Sequence, residues 1–236
     1  MFQNKKLVCF DLDGTLIDSV GIWNQVDAAL IHELSGIKAN LKLIQQQRDL
    51  QLTAFRHLPD PYLEYCDYLK EIYGFKLNKE DVKNRRYCIS RHFLDHVVEL
   101  KPQAELIIQA LKKQEILLAL TTTTSLFNVQ RYQDNNQNIN AKISFDDDFA
   151  LILTRENVQN IKPHPEIYLN VLEHFKIEAK DCLIIEDSLI GVEAANNAGI
   201  EVVAIYDQYS AHEIELIKAR ANYFVQGFTE LLRHIA

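Results

Sequence analysis

The sequence predicts an α/β protein: a doubly wound parallel sheet, covered by helices on both faces, with an all-helical domain inserted into it. Three observations carry this. From about residue 101 onward, apolar runs of a few residues alternate with helical patterns. Strands separated by helices pair in parallel and are buried on both faces. One more apolar run, Leu7-Val8-Cys9-Phe10, stands alone near the N-terminus and must join the sheet from the far end of the chain. Between them, residues 19–98 carry helical periodicity only. The expected domains are therefore an α/β core, 1–18 with 99–236, and a helical cap, 19–98.

The first run ends at Asp11 and has the length of a short buried strand. In the insertion, Trp23, Val26, Leu30 and Leu34 recur at helical spacing, and Gly36 stops the pattern. Tyr62, Tyr65, Leu69 and Ile72 form a second stripe, closed by Gly74. Asn78, with Asp81 three residues on, opens a third helix holding Val82, Ile89, Phe93 and Val97. Residues 37–61 are less regular and leave room for a further helix. The core then reads as helix 103–114, strand 116–120, a helix near 126–132, a strand near 150–153, helix 165–175, strand 182–185, helix 189–198, strand 202–205, a last helix and strand 223–225.

Composition bounds the function. With 236 residues, 47% of them hydrophobic, the chain can build a sizeable core. The formal net charge of −8 argues against a nucleic-acid partner. A small phosphate is still compatible, given a local positive centre such as a metal ion. No apolar run reaches the ~20 residues of a membrane span, and Met1 to Lys6 lead into a strand without a signal-peptide core. Cys9 and Cys182 lie inside apolar runs and read as buried free thiols, so a reducing cytoplasm is the expected location.

Open α/β sheets bind ligands beyond the carboxyl ends of their strands. The segments at those ends are polar and acidic. Asp11-Leu12-Asp13-Gly14-Thr15-Leu16 follows the first strand, Thr121 to Ser125 the second, and Glu186-Asp187-Ser188 a later one, with Lys162-Pro163-His164-Pro165-Glu166 between. In extended chain, Asp11 and Asp13 point to one side while Leu12 faces the core. Close carboxylates repel, so a counter-charge or a held proton is required. With Asp187 as a third acid, hard oxygen ligands suit Mg²⁺. Gly14 permits a tight turn, which frees neighbouring amides for phosphate oxygens.

These motifs resemble those of the haloacid dehalogenase superfamily. The first motif is Asp11 to Leu16 with the Asp18-Ser19 extension. The second is Leu118-Ala119-Leu120-Thr121-Thr122-Thr123, with the hydroxyl placed at Thr122, or at Thr121 if the register shifts by one. Lys162 opens the third, and Glu186-Asp187-Ser188 to Ala195 form the fourth. The resemblance is to the β-phosphoglucomutase-like and phosphoglycolate phosphatase-like subgroup, with a Rossmann-like core and a helical C1 cap. It implies Asp11 as nucleophile, Asp13 as general acid and base, and Lys162 bridging Asp11 and phosphate. It implies phosphate binding by Thr122 and the Thr123 amide. Mg²⁺ would sit on Asp11, Asp187 and the Asp13 backbone carbonyl, with Glu186 acting through water. Two departures stand out: Lys101-Pro102-Gln103 where relatives often have Pro-Gly, and no Gly-containing loop in the cap.

The expected activity is a Mg²⁺-dependent phosphatase acting on a small phosphorylated metabolite, a sugar phosphate or a phosphoglycolate-like compound. The alternative is a sugar phosphomutase. A dehalogenase needs neither Asp13 nor metal, and a non-catalytic module needs none of these acids. A phosphonate-cleaving relative would use a cap lysine, for which Lys38, Lys42 and Lys70 are available. Arg48, Arg56 and His57 are cap groups able to meet a polar leaving group or simply to be solvated. Cys88, His92 and His96, four apart on one helix, form a rival metal pattern without a fourth ligand. Asp146 to Asp148 read as a solvated loop. The chain is expected to act as a monomer or weak dimer.

Overall fold

The computed structural model describes residues 1–55 and 57–235. Arg56 therefore lies outside the described residues. By their internal contacts these residues form two units, 1–19 with Val98 onward, and Val20–Val97. Ser19 and Val98 thus group with the sheet.

The first unit holds six strands: β1 (Leu7–Phe10), β2 (Leu117–Thr121), β3 (Leu151–Leu153), β4 (Cys182–Glu186), β5 (Glu201–Ile205) and β6 (Tyr223–Val225). Their order is β3-β2-β1-β4-β5-β6 and every pairing is parallel. β1 is central, with Phe10 opposite Leu120 of β2 and Ile185 of β4. The order reverses there, where doubly wound sheets bind ligands. This register brings Asp11, Thr121 and Glu186 to one edge of the sheet.

Burial explains the strand composition. Leu7, Val8, Cys9 and Phe10 are all fully buried, so both faces must be apolar. On one face, Cys9, Ala119 and Ile184 pack with Tyr168 and Val171 of one helix and Val192 and Ala195 of another. Those helices are Glu166–Phe175 and Leu189–Asn197. On the other face, the Phe10 ring meets Phe149 edge-on at 6.3 Å and Phe228 at 6.4 Å.

The second unit is four helices, α1 (Ile22–Ser35), α2 (Leu41–Phe55), α3 (Pro61–Tyr73) and α4 (Lys79–His96). α2 occupies the segment that lacks clear periodicity, because only Ile44 and Arg48 along it are buried. Gly36 and Gly74 end α1 and α3 in the left-handed conformation. Asp60 and Asn78 cap α3 and α4, accepting from the N–H of Leu63 and Asp81. The interior contains Leu30, Ile44, Tyr65, Leu69 and Val82. It also holds a buried ion cluster: Asp27 accepts from Arg86 Nε at 2.6 Å and from the Tyr65 hydroxyl at 3.0 Å.

Two local expectations change. β2 runs one residue further, to Thr121. Asp146 to Asp148 are not a loop but part of a one-turn helix, capped by the Ser144 hydroxyl and tied to Lys112 through Asp148. Gln103 stands at φ 69°, where a glycine fits without strain, so the departure from Pro-Gly keeps the left-handed turn.

Candidate active site

Asp11 follows the end of β1 and is held there by its own N–H, which donates to the Ile185 carbonyl. Its side chain is buried. Oδ1 accepts from Lys162 Nζ at 2.7 Å. The same ammonium donates to Glu186 Oε1 at 2.7 Å and to the Thr121 carbonyl at 3.1 Å. All three of its protons are thus engaged, and the Tyr168 ring lies 5.2 Å away.

Glu186 ends β4 and is buried. Its second oxygen accepts the N–H groups of Asp187 and Ser188 and the Ser188 hydroxyl. Gly191 leaves room for this carboxylate, because a Cβ there would overlap it. Asp187 is clasped on both sides. Thr15 Oγ1 donates to Oδ1 at 2.8 Å and Ser210 Oγ to Oδ2 at 3.3 Å. Gly14, at φ 89°, lies against Asp187, and a Cβ would come within 2.5 Å of its oxygen.

Asp11, Glu186 and Asp187 offer ligand atoms within 4.8 Å of one another. Among the described residues this is the one such buried cluster. Cys88, His92 and His96 do not form another: Cys88 is exposed, and the His92 and His96 rings lie tilted at 58° with centroids 5.4 Å apart.

Asp13 is not one of the three clustered ligands, although its charge acts on Asp11. Strand geometry stops at Phe10, and the Leu12 carbonyl accepts the Ile17 N–H in a turn, so two-residue alternation does not extend across Asp11 and Asp13. Its Oδ1 accepts from Ser19 at 2.5 Å and its Oδ2 from Thr122 Oγ1 at 3.3 Å. The Thr121 hydroxyl turns instead to the Phe10 carbonyl at 3.4 Å. The N–H groups of Leu12, Asp13 and Thr123 have no partner among the described residues. Gly14 N–H is used within the turn, on Ile17.

Burial raises the pKa of Asp11, against the opposing pull of Lys162. Burial also raises Asp13, with Ser19 and Thr122 opposing. Asp187 is raised by burial and then by the Glu186 and Asp11 charges. For Lys162, burial works downward, but Asp11 and Glu186 overcome it and hold the ammonium charged. Four acids thus share one lysine, which touches two of them, Asp11 and Glu186. This excess of buried negative charge fits a divalent cation, and the donor set is oxygen only, as a hard ion requires.

Of the cap groups, Arg48 is buried, with Nη1 3.7 Å from Asp27, and His57 is exposed. Lys70 pairs with Glu71 and Asp67, which leaves it an ordinary charged surface lysine. Sequence reasoning missed Thr15, Ser19 and Ser210, which orient the acids. Ser19 carried a signal through the Asp18-Ser19 extension; Ser210 carried none. A crevice of about 540 Å³ touches the site only through Gly14 and Thr15.

Comparison with known proteins places these residues in context. The profile described as haloacid dehalogenase-like hydrolase matches residues 8–205. The chain is 27% identical over 202 residues to the bifunctional riboflavin kinase/FMN phosphatase of Arabidopsis thaliana, covering 84% of this chain and 48% of that one. It thus spans about half the length of that relative. It is 26% identical to the phosphoglycolate phosphatase of Pasteurella multocida over 96% of both chains. Among solved structures, a β-phosphoglucomutase candidate from Thermotoga maritima superposes with a TM-score of 0.74 at 25% identity, over 93% of this chain and 94% of the other.

Proposed function

The chain belongs to the haloacid dehalogenase-like hydrolase family, and from that premise we propose a Mg²⁺-dependent phosphatase of small phosphorylated metabolites, a sugar phosphate or a phosphoglycolate-like compound. The observation that carries the reading is the separation of the two aspartates. Asp11 belongs to the lysine-bridged acid cluster, whereas Asp13 rests on two hydroxyls outside it. Two acids in unlike surroundings divide the labour of nucleophile and proton carrier.

Asp11 attacks phosphorus with the oxygen that Lys162 does not hold. The bond from phosphorus to the leaving oxygen breaks, and Asp13 gives that oxygen its proton. Water then attacks the aspartyl-phosphate and Asp13 takes a proton from it. Inorganic phosphate leaves and the Asp11 carboxylate is restored. The Thr122 hydroxyl and the Thr123 amide bind phosphate oxygens, and Lys162 reaches phosphate by exchanging one of its three acceptors. Asp11, Asp187 and the Asp13 carbonyl would hold Mg²⁺, with Glu186 behind them on Lys162. When bound, the ion offsets repulsion between the Asp11 anion and the incoming phosphate.

The test is phosphate release from a panel of sugar phosphates, glycerol phosphate, phosphoglycolate and nucleotides, with Mg²⁺ and with EDTA. Release that requires the metal supports the reading, and full turnover in chelator overturns it. Likeness to the Thermotoga maritima structure favours a second reading, a sugar phosphomutase. There, the phosphoenzyme donates to a sugar hydroxyl instead of water. Conversion of a hexose 1-phosphate without net phosphate release would support it.

A further inference from the structure

One residue outside the motifs, Lys101, holds the chain beside both hydroxyls that clasp Asp187, by its backbone on one side and its ammonium on the other. On one side, the Lys101 N–H donates to the Leu16 carbonyl at 2.8 Å, next to Thr15, whose hydroxyl meets Asp187 Oδ1. On the other, the Lys101 ammonium pairs with Asp207 Oδ2. Asp207 follows β5 and its side chain is completely buried. Its Oδ1 accepts the Tyr209 N–H at 2.8 Å and its carbonyl the Ser210 N–H at 3.3 Å. This turn places the Ser210 hydroxyl on Asp187 Oδ2. The other charged neighbour of Lys101 is Asp18, at 3.8 Å.

We infer that Lys101 and Asp207 are positioning residues: their ion pair is a strut that fixes the Asp187 carboxylate for the divalent cation. The inference rests on the metal-dependent reading above. Groups that orient a metal ligand typically set ~10–100-fold in metal affinity.

Charge and position predict opposite signs for one variant. Lys101→Met removes a positive charge near an acidic site, and by charge alone that tightens a dication. If the strut positions Asp187, the same variant binds more weakly. The measurement is Mn²⁺ binding to EDTA-stripped protein, read from the free-ion electron paramagnetic resonance signal. The expected result is about tenfold weaker binding for Lys101→Met and near-native binding for Lys101→Arg. The double variant Lys101→Met/Asp207→Asn leaves no buried charge unpaired, since Asp18 is exposed, so it separates loss of the strut from unfolding. It too is expected to bind weakly, with a native circular dichroism spectrum. Equal or tighter binding by Lys101→Met, or native affinity in the double variant, overturns the inference. A different failure marks the functional reading itself: native protein that binds no Mn²⁺, with Asp187→Asn indistinguishable from it, removes the metal site and the strut together.

Discussion

Lys162 Nζ and Asp11 Oδ1 lie 2.7 Å apart, although 151 positions separate the two residues in the chain. That ammonium is the counter-charge of a buried acid cluster. Lys162→Met should therefore unfold more easily without metal, by about 3–5 kcal/mol, as expected when one partner of a buried ion pair is removed. Mg²⁺ should restore part of the loss, because binding to the native state alone stabilises it. Urea unfolding of both proteins, in EDTA and in Mg²⁺, measures this. An identical loss in the two buffers would show that Lys162 and the metal do not share a charge balance.

The two aspartates should separate kinetically. Asp11→Asn lacks the nucleophile, so neither a burst nor turnover is expected. Asp13→Asn keeps the nucleophile and loses the proton carrier, a change worth ~10²–10⁴-fold. With p-nitrophenyl phosphate the leaving group departs unprotonated. Asp13→Asn should then release about one p-nitrophenolate per site in a burst, since its second step lacks the base. Rapid mixing, together with intact-protein mass for an added phosphoryl group, is the measurement. A burst from Asp11→Asn would reverse the assignments.

Gly191→Ala should disable the site through the Glu186 carboxylate that Gly191 lies against. The added Cβ overlaps the Glu186 carboxylate, which must move off Lys162 or off the Asp187 N–H. Overpacking of this kind costs about 1–3 kcal/mol, and phosphatase activity should fall at least about tenfold. Gly227→Ala is the control, since nothing lies within 4 Å of its Cβ position. It should change stability by less than about 0.5 kcal/mol. Equal behaviour of the two variants would contradict the crowding argument.

The helical unit offers a pH test of its own. Burial works to raise Asp60, but Lys83 and the Leu63 N–H outweigh it and hold its carboxyl below the usual range. A depressed folded pKa means the contribution is present above the unfolded pKa and is lost as pH falls through the folded one. Asp60→Ala should be less stable by about 1 kcal/mol near neutrality, a typical loss for a helix cap. The gap should narrow as pH drops below about 4, the unfolded carboxylate value. Urea midpoints at pH 7, 5 and 3 measure it, and a gap that widens toward acid would be inconsistent.

Much of this architecture is legible in the residue order. Leu7 to Phe10 is a strand because nothing polar interrupts it, and the acid after it must lie at the sheet edge. Gly36, Asn78 and Gly74 mark helix ends because backbone geometry at those points admits few residues. At Asp13 the chain has left the strand and entered a turn, so its hydroxyl partners Ser19 and Thr122 are set by the fold rather than by strand alternation. Contacts of Thr15 and Ser210 with Asp187 are not legible at all, since they join segments 172 and 23 positions apart through side chains with many other options. Lys101 is visible in the sequence only as a deviation before Pro102; its partner Asp207, 106 positions on, is a product of the fold.

The two passages between the units run side by side. Asp18 N–H donates to the Glu99 carbonyl at 2.9 Å, Lys101 N–H to the Leu16 carbonyl at 2.8 Å, and Ile17 pairs with Leu100 in an antiparallel bridge. The chain thus leaves the sheet and returns to it through a single narrow doorway. For a gene, this makes the helical unit a cassette: a deletion that joins the two sides of the doorway by a short turn leaves the six strands in order, and a foreign helical bundle with adjacent ends can be spliced into the same place. Such an exchange needs no edit to the strands that carry Thr121 and Glu186, nor to Asp11 at the end of the first.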